Sequence, residues 1–97
     1  MFTWMNKQGV RSDLGFEFQF TGRFSAEYRE NGKVTKIYVQ GARPVTIYQG
    51  SIEGLWSDIP DPAMRDAERN RIIQNISDAL TFQGLTLDLV IGPEPKY

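Results

Sequence analysis

FSAEYRENGKVTKIYV, residues 24–39, decides the fold. Asn31-Gly32 sits at its centre. A type I′ hairpin turn needs positive φ at both central positions, and Asn-Gly meets that need at least cost. On the near side, Phe24, Ala26 and Tyr28 fall on alternate positions and are expected to share one face of a strand. On the far side, VTKIYV (34–39) is the return strand, rich in β-branched and aromatic residues.

The pattern extends outward in both directions. GFEFQF (15–20) alternates strictly, with Phe16, Phe18 and Phe20 on one face and Glu17 and Gln19 on the other. Thr21-Gly22 turns that strand into the hairpin. After a break from Gln40 to Pro44, VTIYQ (45–49) is a fourth short strand. Asp61-Pro62 opens a helix, since Asp accepts from the first free N–H groups and Pro suits the first helical position. Ile72, Ile73, Ile76, Ala79 and Leu80 follow the helical repeat and define its buried stripe. Gly84 fits the left-handed position beyond its end. LTLDLVI (85–91) is a last strand, with Leu85, Leu87, Leu89 and Ile91 on one face.

The expected fold is therefore α+β. A four- to five-stranded, mainly antiparallel sheet carries one α-helix, about residues 62–82, on one face. The order in sequence is β-β-β-β-α-β. All 97 residues form a single domain, with residues 1–14 and 92–97 loosely ordered and Phe2 and Trp4 as tethers.

Composition narrows the chemistry. The chain has no Cys and no His, so it lacks disulfides, thiolate metal sites, the commonest general base and the commonest zinc ligand. No cofactor or metal is expected, and the reading is non-catalytic. No apolar run reaches the ~20 residues of a membrane span. MFTWMNKQGV has neither the apolar core nor the cleavage site of a signal peptide, so the expected location is cytoplasmic.

Charge is uneven. Residues 1–48 hold seven bases and four acids, and residues 49–97 hold four bases and eight acids. The acidic half is suited to a basic partner. Glu53, Asp58 and Asp61 surround Trp56 in a loop loosened by Gly50 and Gly54. Trp56 has two sound explanations: a core anchor covering the end of helix and sheet, or an interface hot spot with an acidic rim. AMRDAERNR (63–71) continues the helical stripe through Arg65 and Arg69, so this half of the helix projects past the core or meets something else.

Other patterns have a blander explanation. The FEFQF aromatics resemble base-stacking platforms, but core packing explains them, and a balanced net charge makes nucleic acid a poor partner. Glu27 with Glu30, or Asp58 with Asp61, are the candidate carboxylate pairs; no diagnostic motif surrounds either. Arg29, Lys33 and Lys36 read as guards of an exposed strand edge.

One resemblance covers roughly residues 24–91. YRENGKVTKIYVQG (28–41), then IYQGSIEGLW (47–56), an acidic bridge with prolines, and RDAERNRIIQNISDALTFQGLTLDLV (65–90) are similar to the small α+β immunity proteins of bacterial polymorphic-toxin and contact-dependent growth inhibition systems. Its most telling parts are Ser51, Ile52 and Trp56 in the loop and Glu68, Arg69, Arg71, Ile72 and Ile73 in the helix. The resemblance implies a stoichiometric inhibitor that occludes a cognate toxin domain, often a nuclease with a basic cleft. It implies Glu53, Trp56, Asp58 and Asp61 as contacts, with Arg65 and Arg69 behind them and the polar sheet face through Glu17, Gln19 and Glu27 as the alternative surface. Residues 1–14 are not explained by it. The rival readings are a single-stranded nucleic-acid-binding domain and a structural or phage-type subunit that oligomerises through strand edges. A salt-dependent titration and light scattering separate them.

Overall fold

The computed structural model describes residues 1–41 and 43–90. Among the described residues seven strands form one sheet in their sequence order, and one helix covers one face. The strands are β1 (Phe2–Asn6), β2 (Gly9–Ser12), β3 (Phe16–Gly22), β4 (Ser25–Glu30), β5 (Lys33–Gln40), β6 (Val45–Tyr48) and β7 (Leu87–Val90), and α1 spans Pro62–Phe82.

The hairpin at Asn31-Gly32 is as expected. Asn31 has φ 55° and Gly32 φ 77°, the pair of positive values that a type I′ turn requires. The register follows as Glu30↔Lys33, Tyr28↔Thr35 and Ala26↔Ile37. Neighbouring strands through β6 run antiparallel. Strand β7 runs parallel to β6, pairing Val45 with Leu87 and Ile47 with Leu89. A helix joins the two, and a helical crossover returns the chain in the same direction.

The strand count departs from the expected four to five. The sequence suggests loose ordering over residues 1–14, yet β1 and β2 pair there and extend the sheet onto β3 through Val10↔Phe18. Side chains organise the two turns. Asn6 Oδ1 accepts the Gln8 N–H at 2.8 Å, and Ser12 Oγ accepts the Leu14 N–H at 3.0 Å. Neither turn carries a dipeptide as strong as Asn-Gly, and only Val10 is a fully buried large residue in β2, so alternation is too short to read. Phe2 meets Phe16 edge-on, with centroids 5.7 Å apart, and Phe2 and Trp4 both lie against Phe82 at the helix end. The tail 92–97, and Ile91, lie outside the described residues.

The core lies between sheet and helix. Phe16, Phe18, Ala26, Tyr28, Ile37, Val39, Val45 and Ile47 meet Ile72, Ile76, Ala79 and Leu80. Phe20, Ile73, Leu85, Leu87 and Leu89 pack around them. Asp61 caps the helix, its Oδ1 accepting from Ala63 N (2.8 Å) and Met64 N (3.3 Å). At the other end Gly84 takes φ 80°, with Leu85 N donating to Leu80 O and Gly84 N to Thr81 O. That double bond pattern satisfies carbonyls the last turn would leave open.

Two further expectations change. Phe24 does not share the face of Ala26 and Tyr28: it lies in the turn before β4, 48% exposed, with its ring stacked on Tyr38. The guard reading of Arg29, Lys33 and Lys36 holds only in part. Arg29 sits on a strand paired on both sides, whereas among the described residues β6 pairs with β5 at Val39 and Gln40, so Lys33 and Lys36 border a half-open edge.

Candidate functional site

The loop between β6 and α1 is built from two short 3-10 turns, Gln49–Ser51 and Glu53–Leu55. Ile52, between them, and Trp56, after them, drop into the core; Trp56 is 3% exposed. Of its two explanations, burial is the one the geometry displays. Filling that site with an indole rather than a methyl contributes about 3–5 kcal/mol. Backbone bonds tighten the bend, with Trp56 N and Ser57 N both donating to Glu53 O (3.1 and 2.9 Å) and Ile59 N donating to Trp56 O. Ser51 Oγ donates to Tyr48 O at 2.8 Å and ties the bend to the end of β6.

This anchoring turns Glu53 and Asp58 outward. Both are exposed, and neither carboxylate forms an ion pair among the described residues. Asp61 is exposed but spends an oxygen on the helix cap. Arg65 points back to the loop. Its Nε donates to Ile59 O at 2.9 Å and its Nη2 to Pro60 O at 3.4 Å, closing the bend against the helix. Arg69 pairs with Asp66 one turn earlier at 3.4 Å. The six residues singled out from the sequence thus divide. Glu53 and Asp58 present charge, while Trp56, Asp61, Arg65 and Arg69 have structural partners.

The candidate carboxylate pairs do not converge as catalytic dyads. Glu27 and Glu30 are three apart on one strand and so project to opposite faces. On the open face Glu27 pairs with Arg29 at 3.4 Å. Beneath the helix, Glu30 receives two hydrogen bonds from Arg71, at 2.8 and 2.9 Å. Arg71 also donates to Glu68, and Tyr28 donates to Glu30 at 2.9 Å while accepting from Asn75 at 3.0 Å. The Arg71 hydrogen bonds hold the Glu30 carboxyl below its ordinary value, against burial, which pushes it up. Burial pushes the Tyr28 phenol well above its ordinary value. Both shifts belong to one structural network. Among the described residues no group of three or more Asp and Glu side chains is gathered to hold a metal ion, and no helix is long and apolar enough to cross a membrane.

The open face of the sheet carries the residues that sequence reading missed. Glu17 pairs with Arg11 at 2.8 Å and lies opposite Arg29, so one row of this face is internally neutralised. A second row is aromatic. Phe24 stacks on Tyr38 with centroids 6.5 Å apart, and Tyr38 meets Tyr48 at 6.0 Å. The Arg23 guanidinium lies 5.4 Å from the Phe24 ring centre, and Tyr48 donates to Gln40 Oε1 at 3.1 Å. The available signal was the parity of Tyr38, between buried Ile37 and Val39, and of Tyr48, next to buried Ile47. Phe24 gave none, because a turn residue escapes strand alternation. The chain matches no family model, no curated protein and no solved structure.

Proposed function

We propose that the chain is a non-catalytic protein-binding module, an immunity protein of the kind it resembles, which docks on a cationic toxin domain and occludes it in the cytoplasm. One observation carries this reading: Glu53 and Asp58 expose carboxylates that form no ion pair among the described residues, on a bend whose Ile52 and Trp56 are locked in the core. A bend fixed in advance loses little freedom on binding, and its charge accelerates capture of a basic partner. Trp56, Asp61 and Arg65 act as its scaffold, and Arg69 stands one turn further along the helix. A nuclease cleft built to receive phosphates is one surface such a display fits.

The test is co-expression with the C-terminal toxin domain of the neighbouring reading frame. The chain restores growth and forms a complex of fixed stoichiometry. Glu53→Lys with Asp58→Lys slows association by about tenfold or more at low salt, and the effect shrinks as salt rises. Unchanged on-rate and affinity in the double reversal would remove the acidic bend from the interface. Failure to protect or bind would remove the immunity reading itself.

A further inference from the structure

The open sheet face offers a second surface, independent of the acidic bend. We propose that Phe24, Tyr38 and Tyr48, with Arg23 and Lys36, form a binding face for single-stranded nucleic acid. The rings belong to successive parts of the sheet: the turn before β4, then β5, then β6. They step across it at 6.5 and 6.0 Å, on the face away from the helix. An isolated exposed aromatic is ordinary, but a cross-strand row, here exposed Phe24 beside half-buried Tyr38 and Tyr48, is the arrangement on which splayed bases stack.

Charge selects the ligand. Arg23 holds its guanidinium 5.4 Å from the centre of the outer ring, which puts a positive charge beside the row. Lys36 stands two residues before Tyr38 on the same face of β5. Neither cation takes part in an ion pair among the described residues. The nearby acids are Glu27, opposite Lys36 but paired with Arg29, and Asp88, opposite Thr46 on the far side of the row. Aromatic planes flanked by two free cations fit a strand that alternates bases with phosphates. Duplex fits poorly, because its bases are already stacked and cannot reach the rings. Few cations mean that stacking supplies much of the affinity and the salt dependence is shallow.

The experiment is fluorescence anisotropy of labelled oligothymidylate and oligouridylate of about twelve nucleotides, within the site size of sheet-type binders, titrated with the full chain. Saturable binding of either is expected. It weakens modestly between about 50 mM and about 200 mM salt, and the two sugars report which nucleic acid is preferred. Phe24→Ala and Tyr48→Ala each weaken it by about tenfold. Arg23→Gln and Lys36→Gln each lower the salt slope by about 0.7. The Glu53→Lys, Asp58→Lys protein retains stacking-dependent binding, so this result stands apart from the acidic-bend test. Three outcomes overturn the proposal. One is no anisotropy change at about 0.1 mM protein, the weak end of sequence-independent binding. Another is equal affinity for a duplex of the same length. The third is wild-type binding by folded Phe24→Ala and Tyr48→Ala proteins.

Discussion

Arg71 on the helix reaches Glu30 at the end of β4 with two hydrogen bonds, 2.8 and 2.9 Å long. Both partners are needed to close the end of the sheet beneath the helix. Tyr28 and Asn75, deeper in the core, complete the chain of donors and acceptors. Removing one member leaves polar groups without partners where water has poor access.

Glu30→Gln lowers stability by about 1–2 kcal/mol at neutral pH, a figure reduced for the solvent screening of Arg71, whose side chain is 44% exposed. The folded protein holds Glu30 below its ordinary value of 4.5, so this stabilisation is present above that pH and is lost as pH falls through the depressed value. Urea unfolding from pH 7 down to pH 3 shows the wild-type and Glu30→Gln curves converging at the acid end. A difference that persists undiminished in acid would assign the loss to packing.

Tyr28→Phe costs about 1–2 kcal/mol, because Asn75 is buried and loses the acceptor for its amide N–H. In a chain of this length that lowers the melting temperature by about 4–8 °C per kcal/mol. Pairing Tyr28→Phe with Asn75→Leu recovers part of the loss, and a double-mutant cycle by thermal melting measures the recovery.

Trp56→Ala destabilises by about 3–5 kcal/mol, and Trp4→Ala by far less, since Trp4 is 49% exposed at the sheet edge. The two indoles are distinguishable in solution. In Trp4→Phe, where only Trp56 emits, fluorescence is blue-shifted and resists acrylamide. In Trp56→Phe the remaining emission is red-shifted and readily quenched. Equal quenching of the two would contradict the burial of the bend.

Asp61→Ala costs about 1 kcal/mol through the lost cap, and Asp61→Asn much less, because the amide oxygen still accepts from Ala63 and Met64. Glu53→Lys and Asp58→Lys leave stability nearly unchanged, since neither side chain has an ion-pair or hydrogen-bond partner among the described residues. Chemical denaturation of the four variants separates the residue that builds the bend from the residues it displays.

The legible parts of the fold share a strong local rule. Asn31-Gly32 sets a hairpin, Phe16, Phe18 and Phe20 set a buried face, and Asp61, Pro62 and Gly84 mark both ends of the helix. What stayed hidden depends on contacts that no local pattern announces. The strand character of β1 and β2 comes from pairing onto the edge of β3, with Val10 opposite Phe18, rather than from their own composition. Arg65 and Arg69 drew notice as polar residues on an apolar stripe, yet their partners are carbonyls of the preceding loop and a neighbouring acid, which spacing does not reveal. Glu53 and Asp58 were visible as charge. Their outward aim follows only from Trp56 pointing in.

The parallel pairing of β6 with β7 has a kinetic consequence. Strands β1 to β5 join through hairpin-length turns, so their contacts form between near neighbours. Seating β7 beside β6 must wait for the helix to close a long intervening stretch, and the Glu30–Arg71 link spans a separation of 41 residues. The meander is therefore expected to assemble early and the last strand late. Leu89→Ala, in β7, should speed unfolding while leaving the refolding rate almost untouched, and Ile37→Val, in β5, should slow refolding; stopped-flow chevrons read both.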